Sequence, residues 1–279
     1  MRISLSEVGL ATVLSRGTRV KKVSTFERGE QLRRQLLIVL AKHGHVRPVD
    51  VAAALWPHAR FAEQLAGRQL KRLELTGLLI ARSNAVGATS YVLTRRGAAL
   101  AEAFGARARH GLDLTSVAGA TFIHRAIGTR FGIEMEKQGC SFFGEHAILT
   151  GQAPYTAEQL ISAFGKLPDF LLRPRGADGY WFGEVEVAAK AVAELERCVR
   201  VAITHPVAKA NALPMLGVLF LCDDRLNHEK KIRNVASRLI LEGGARVKTL
   251  LASRVRVALV TQGPRAKWIG MTSPTSLEI

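Results

Sequence analysis

Apolar positions recur at helical spacing through residues 31–43, where Leu32, Leu36, Leu37, Val39 and Leu40 share one side. Gly44 and His45 end this first predicted helix. A second opens at Arg47-Pro48, with the proline in the first turn, where its missing N–H costs nothing. It carries Val51, Ala52, Leu55 and Trp56 until Pro57 stops it. A third helix is expected over about 60–76. Leu65, Leu70, Leu73 and Leu75 form its apolar side, and Arg60, Gln64, Arg68, Lys71 and Arg72 its polar side. Two short runs rich in strand formers, 78–82 and 90–94, flank a small, polar stretch at 83–87 and read as a hairpin with a loose tip. Thr94-Arg95-Arg96-Gly97 then leads into a last helix at 98–104.

Beyond a small, basic junction at 105–111 the order changes. A helix is expected over 115–138, with Phe122, Ile123, Ile127, Phe131 and Met135 on its apolar side. A short strand at 140–145 and a long loop to about 167 follow. Strands are expected at 169–172 and 180–187, then a helix at 188–202. The uninterrupted apolar run 215–222 predicts a buried strand. A helix at 228–242, ended by Gly243-Gly244, precedes strands at 246–251 and 255–261. The predicted class is therefore α+β with a central mixed sheet. The chain divides into an aperiodic stretch at 1–27, a small helical part at 28–108 and a larger α/β part at 112–279.

Charge sharpens this division. Lys and Arg number 40 against 23 Asp and Glu, a net charge of +17. Residues 1–110 carry +12 of it and residues 111–279 only +5. Such a surplus favours a polyanion, through attraction to phosphates and release of counterions. The N-terminal part suits phosphate contacts, and residues 1–27 read as a flexible basic arm that adds some without reading sequence. The C-terminal part holds the acids available for chemistry. The longest apolar stretch, around 213–222, is too short to span a bilayer, and the first residues lack a secretory apolar core. Cys140, Cys198 and Cys222 form no CxxC pair and read as reduced, buried thiols. A protein of the cytoplasm is expected. The absence of GxxxxGK[ST], HExxH, GxSxG and H-x-E…C-x-x-C patterns argues against NTPases, zinc proteases, serine hydrolases and zinc deaminases.

Candidate chemistry lies in Leu167-Pro168-Asp169-Phe170 and in Gly183-Glu184-Val185-Glu186-Val187-Ala188-Ala189-Lys190. Glu184 and Glu186 are two apart, so on a strand they point to one face. If the two runs are neighbouring strands, Asp169 converges with them. Converging carboxylates repel unless a cation or proton sits among them, and Mg²⁺ favours such oxygens. The competing reading is an exposed strand face whose acids pair with Arg or Lys. Glu145, Glu134 and His124 are further candidates, His124 reading more readily as a core or interface histidine.

Two resemblances add to this reading. Residues 70–79 with 91–97 resemble the third-helix-and-wing pattern of winged helix-turn-helix domains. That implies DNA binding at 28–108, with Arg60, Gln64, Arg68, Lys71, Arg72, Arg82, Arg95 and Arg96 as contacts and the third helix in the major groove. Pro168-Asp169 at one strand start and Glu184-Val185-Glu186 on the next strand resemble the PD-(D/E)xK nuclease superfamily. The whole chain is similar to the replication-relaxation family of mobile elements over about residues 28–225. In that family Glu184, Glu186 and Lys190 match an acid-x-acid strand and a lysine opening the next helix. The resemblance implies Mg²⁺ (or Mn²⁺) on Asp169 and Glu184, with Glu186 on a second ion or orienting water and Lys190 stabilising charge. The superfamily usually carries lysine where this chain has Glu186, and a Lys190 turned away would leave the site weak or inactive. What is implied is a Mg-dependent endonuclease acting on DNA of a plasmid, phage or integrated element. It would work alongside other replication, conjugation or transposition proteins, as a homodimer if both strands are cut. The alternative is a non-catalytic regulator or relaxosome accessory protein using the fold as a scaffold. A winged-helix regulator with a ligand-sensing α/β domain is a third reading.

Overall fold

The computed structural model describes residues 24–83, 86–112, 119–188, 190–204 and 214–277. Three helices come first: α1 (Thr25–His43), α2 (Pro48–Leu55) and α3 (Ala62–Leu75). An antiparallel pair follows, β1 (Leu79–Ser83) with β2 (Thr89–Leu93), then α4 (Arg95–Ala103). Leu36, Leu37, Leu40, Val51, Leu70, Leu73 and Leu93 close one core between them. The expected helices are all present, with shifted ends. A capping box formed by Ser24 and Glu27 starts α1 at Thr25, so residues 25–27 are helical and are no part of an arm. Residues 1–23 of the expected arm lie outside the described residues. Thr94 caps α4, which places Arg95 and Arg96 in its first turn.

Among the described residues, the larger part is built on a seven-stranded mixed sheet. Helix α5 (Gly119–Lys137) precedes β3 (Ser141–Gly144), α6 (Glu145–Leu149), α7 (Ala157–Phe164), β4 (Phe170–Arg173) and β5 (Tyr180–Glu186). After these come α8 (Val192–Thr204), β6 (Met215–Asp223), α9 (His228–Arg254), β7 (Val255–Gly263), β8 (Lys267–Met271) and β9 (Thr275–Ser276). Strands β3, β4 and β5 form an antiparallel meander. Strand β5 pairs in parallel with β6, and β6 with β7, through crossovers that carry α8 and α9. The uninterrupted apolar run on β6 has a simple cause. Val218, Phe220 and Cys222 face the core of α8 and α9, while Leu219 and Leu221 face that of α5, so both faces are covered.

Four expectations are corrected. The stretch expected as a loop before residue 167 holds α6 and α7, the latter closed by a Thr156–Gln159 capping box and a left-handed Gly165. Residues 246–251 are helical, because α9 resumes after a kink at Gly244 (φ 66°, ψ −156°). Helix α8 begins at Val192, so Lys190 lies in the segment before it and not on the helix. Strands β8 and β9 complete the sheet beyond the last expected element.

The two parts pack on each other. Arg47 and Asp50 make a buried bidentate pair, and the same guanidinium donates to the Ala266 carbonyl at 2.6 Å. Arg130 on α5 donates to the Val49 carbonyl, and Lys42 pairs with Glu136. Val86 and Ala88, near the hairpin tip, pack against Phe122 and Ala126 of α5. No helix among the described residues is long and apolar enough to cross a membrane.

Candidate functional site

Asp169 sits one residue before β4, and four links fix it. Its N–H donates to the Gly183 carbonyl at 2.9 Å, and its carbonyl accepts from the Glu145 N–H at 2.8 Å. Its Oδ2 accepts from the Val185 N–H at 2.7 Å and from His124 Nε2 at 2.9 Å. Phe170 pairs with Gly183 across the β4–β5 ladder, which carries Asp169 beside Glu184. This close approach requires glycine at 183: a Cβ there would meet the Phe170 ring at 2.1 Å.

Glu184 and Glu186 point to the α8 face of β5, 0% and 2% exposed. Two lysines meet them. Glu184 Oε2 accepts from Lys166 at 2.6 Å and from Lys190 at 3.2 Å, and Lys190 also reaches Glu186 Oε1 at 2.6 Å. Glu184 Oε1 is buried and has no partner among the described residues. Burial, then the nearby charge of Asp169, push the Glu184 carboxyl up to about 7 against the pull of both lysines. Burial likewise raises Glu186, although Lys190 opposes it. For Asp169 the balance reverses: burial alone would raise it, but the hydrogen bond and charge of His124 hold it below the usual carboxylate range. Burial works against a charged His124, yet Asp169 outweighs it and keeps the ring above the ordinary histidine range. Cys198, 3.4 Å from Lys166 Nζ, is pushed up to about 12 by burial and by Glu184, so its thiol stays protonated.

The sequence-predicted residues thus fall into groups. The structure gathers Glu184, Glu186 and Lys190 into one ion cluster, with Asp169 close enough for its charge to raise both glutamates. His124, read from sequence more readily as a core histidine, is the direct partner of Asp169. Glu145 lies at the edge of the same site, near enough for its charge to act on His124. Glu134 is elsewhere, paired with Arg130 and Lys137 and about 15 Å along α5 from His124. Nothing in the sequence marks Lys166 for this role, although it stands only three residues before Asp169. Among the described residues no three His, Cys, Asp or Glu side chains form a cage for a metal ion. Mg²⁺ does not need one, since it commonly takes one or two carboxylates and completes its octahedron with water and substrate oxygens. The orphaned Glu184 Oε1 beside Asp169 fits that mode.

The basic residues of the N-terminal part are largely in solvent. Gln64, Arg68, Lys71 and Arg72 are exposed on one side of α3, Arg60 is exposed just before it, and Arg95 and Arg96 open α4. Lys71 pairs with Glu74 at 2.8 Å, Arg60 lies over the Phe61 ring, and Arg82 on β1 is half-buried. Between the two parts, Asp169 and His124 also line a cavity of about 110 Å³. No family model, curated protein or solved structure matches this chain.

Proposed function

We propose that the chain is a DNA-binding protein whose larger part is a metal-dependent endonuclease of the PD-(D/E)xK type, joined to a winged helix. It would nick or process DNA of a plasmid, phage or integrated element. The observation that carries the reading is Glu184 Oε1. It is a buried carboxylate oxygen without a partner among the described residues, on a group pushed up to about 7 and one strand from Asp169. Such an oxygen is costly unless a proton or cation meets it. Asp169 and Glu184 would hold Mg²⁺ or Mn²⁺, which when bound supplies an activated water and neutralises charge on the phosphate. His124 keeps Asp169 ionised and oriented. Lys166 and Lys190 occupy Glu184 Oε2 and leave Oε1 to face the cation, and Lys190 adds positive charge where the phosphate develops negative charge. The antiparallel β3–β5 meander, with parallel β6 added through α8, supports the nuclease-like reading. Three helices followed by a β-ribbon, with exposed cations along α3, support the winged helix.

A second reading has its own support. Two lysines already neutralise Glu184 and Glu186, which suits a scaffold that never takes up a cation. The protein would then be a non-catalytic DNA-binding regulator or relaxosome accessory factor. Cleavage of supercoiled plasmid and single-stranded DNA with Mg²⁺ or Mn²⁺ separates the two. The nuclease reading expects nicking by the native protein and its loss in Asp169→Ala and Glu184→Ala, with DNA binding retained. Equal background from all three proteins, with binding intact, would move the function to the scaffold.

A further inference from the structure

Helix α3 carries more than cations on its exposed side. Gln64, Arg68, Lys71, Arg72 and Leu75 are exposed and fall within an arc of about 100° around the helix axis. Ala66, Leu70 and Leu73 hold the opposite side in the core. Phe61, the residue just before the helix, is 56% exposed. It stands beside Gln64 in a surface groove whose other walls are Pro48, Arg60, Glu63 and Gly67. A lone phenylalanine in solvent is ordinary. This one takes the N-cap position of α3, where Ser, Thr, Asp or Asn would accept from the first N–H groups, and its ring caps nothing. A stabilising cap is forgone for an aromatic ring left in solvent, a local rule broken without a gain inside the fold. Arg60 lies over the ring, 5.2 Å from its centre, and keeps a positive charge against it.

The side-chain types gathered there match the edges that bases present in the major groove. Arginine suits guanine, glutamine suits adenine and glutamate the cytosine amino group, while an apolar or aromatic side chain suits the 5-methyl group of thymine. In helix-turn-helix docking the N-terminal residues of the recognition helix meet base edges. Cations elsewhere on the module meet phosphates, which position the protein without reading sequence. Phe61, Arg60 and Gln64 stand at that N-terminal end, and Lys71 and Arg72 lie about 15 Å further along the axis. The charge of the face opposes an apolar protein partner, since burying Arg68 and Arg72 against one would strip both guanidinium groups of water. A DNA groove, lined with phosphates and floored with base edges, suits the cations and the ring together.

We propose that Phe61 is a specificity-determining residue that reads the 5-methyl group of a thymine in the major groove, with Arg60 and Gln64 on the neighbouring base edges. The inference rests on the DNA-binding reading of the helical part and is independent of the metal site. It makes the chain select duplexes with a required thymine, where phosphate contacts alone would accept any sequence. Selection from a random duplex pool by the full chain, without divalent metal, supplies the probe. Each thymine of the enriched duplex is then replaced in turn by uracil, which lacks only the methyl group. One replacement should weaken binding by the native chain about fourfold, the factor that burying one methyl group contributes. Phe61→Ala should bind the thymine and uracil duplexes equally, both about as weakly as the native chain binds the uracil one. The ring is exposed, so this variant leaves the core intact. No duplex bound above background would remove the DNA-binding reading and this proposal with it. Binding with no sequence enriched, with no thymine whose methyl group matters, or with the same methyl dependence in Phe61→Ala overturns the role of Phe61 and leaves the DNA-binding reading standing.

Discussion

At the residue scale the His124–Asp169 pair governs the state of the site. Each partner holds the other charged against the cost of burial, so the pair's contribution to stability depends on pH. A base raised in the folded state stabilises fully below its unfolded value, here 6.5, and loses that effect as pH rises through the raised value. The depressed Asp169 contributes above its unfolded 3.8 and loses its effect as pH falls. The window lies between the two. His124→Ala should therefore cost about 1–3 kcal/mol in denaturant unfolding at pH 6 and clearly less at pH 9. An equal cost at both would mean that the pairing is not ionic. Asp169, Glu184 and Glu186 were legible in the sequence because acids inside apolar runs stand out. His124 and Lys166 were not. His124 reaches Asp169 from 45 residues away, and a lone histidine on an apolar helix gives no sign of its partner. Lys166 stands in what reads as a loop, and its target Glu184 becomes a neighbour only once β5 lies beside the turn before β4.

At the scale of elements, α3 is the test of the winged-helix reading. Its exposed Arg68, Lys71 and Arg72 lie at i, i+3 and i+4 on one side. Replacing all three with alanine should leave folding intact, because none is buried. It should flatten the dependence of log K on log salt by about 2–3, near 0.9 per phosphate contact. Lys71, already bonded to Glu74, should contribute least. An unchanged salt slope would remove α3 from the DNA interface. Helices with wide apolar faces and the continuous strand β6 were readable from spacing. Helices α6 and α7 were not, since each is too short to show a period, although Thr156, Gln159 and Gly165 were cap signals in plain view. The 246–251 stretch was misread because the two glycines look like a stop. Val247, Leu250 and Leu251 keep helical spacing beyond the kink.

At the scale of the molecule, the two parts share buried polar contacts that bind them together. Asp50 is fully buried under Arg47, and Arg47 in turn reaches Ala266 in the other part. Asp50→Ala would strand that guanidinium, at a cost of about 3–5 kcal/mol. Loss of this size should appear as a lower midpoint for the whole unfolding transition. A variant that melts only its helical part separately would show the parts to be weakly coupled. Composition and charge suggest a junction in the sequence, but they could not show that the residues on its two sides pack closely, because Arg47 and Ala266 stand 219 residues apart.

Whether Asp169 and Glu184 hold a divalent cation decides between the nuclease and the scaffold. Calorimetric titration of Mn²⁺ into the native chain, Asp169→Asn and Glu184→Gln reads this without requiring cleavage. The native chain should take up Mn²⁺ saturably near pH 7, with a buffer-dependent heat. Glu184, at about 7, is partly protonated and must release its proton as the cation binds. Both variants should lose that binding. No saturable uptake by the native chain, or the same uptake by all three, would contradict the metal site and with it the nuclease.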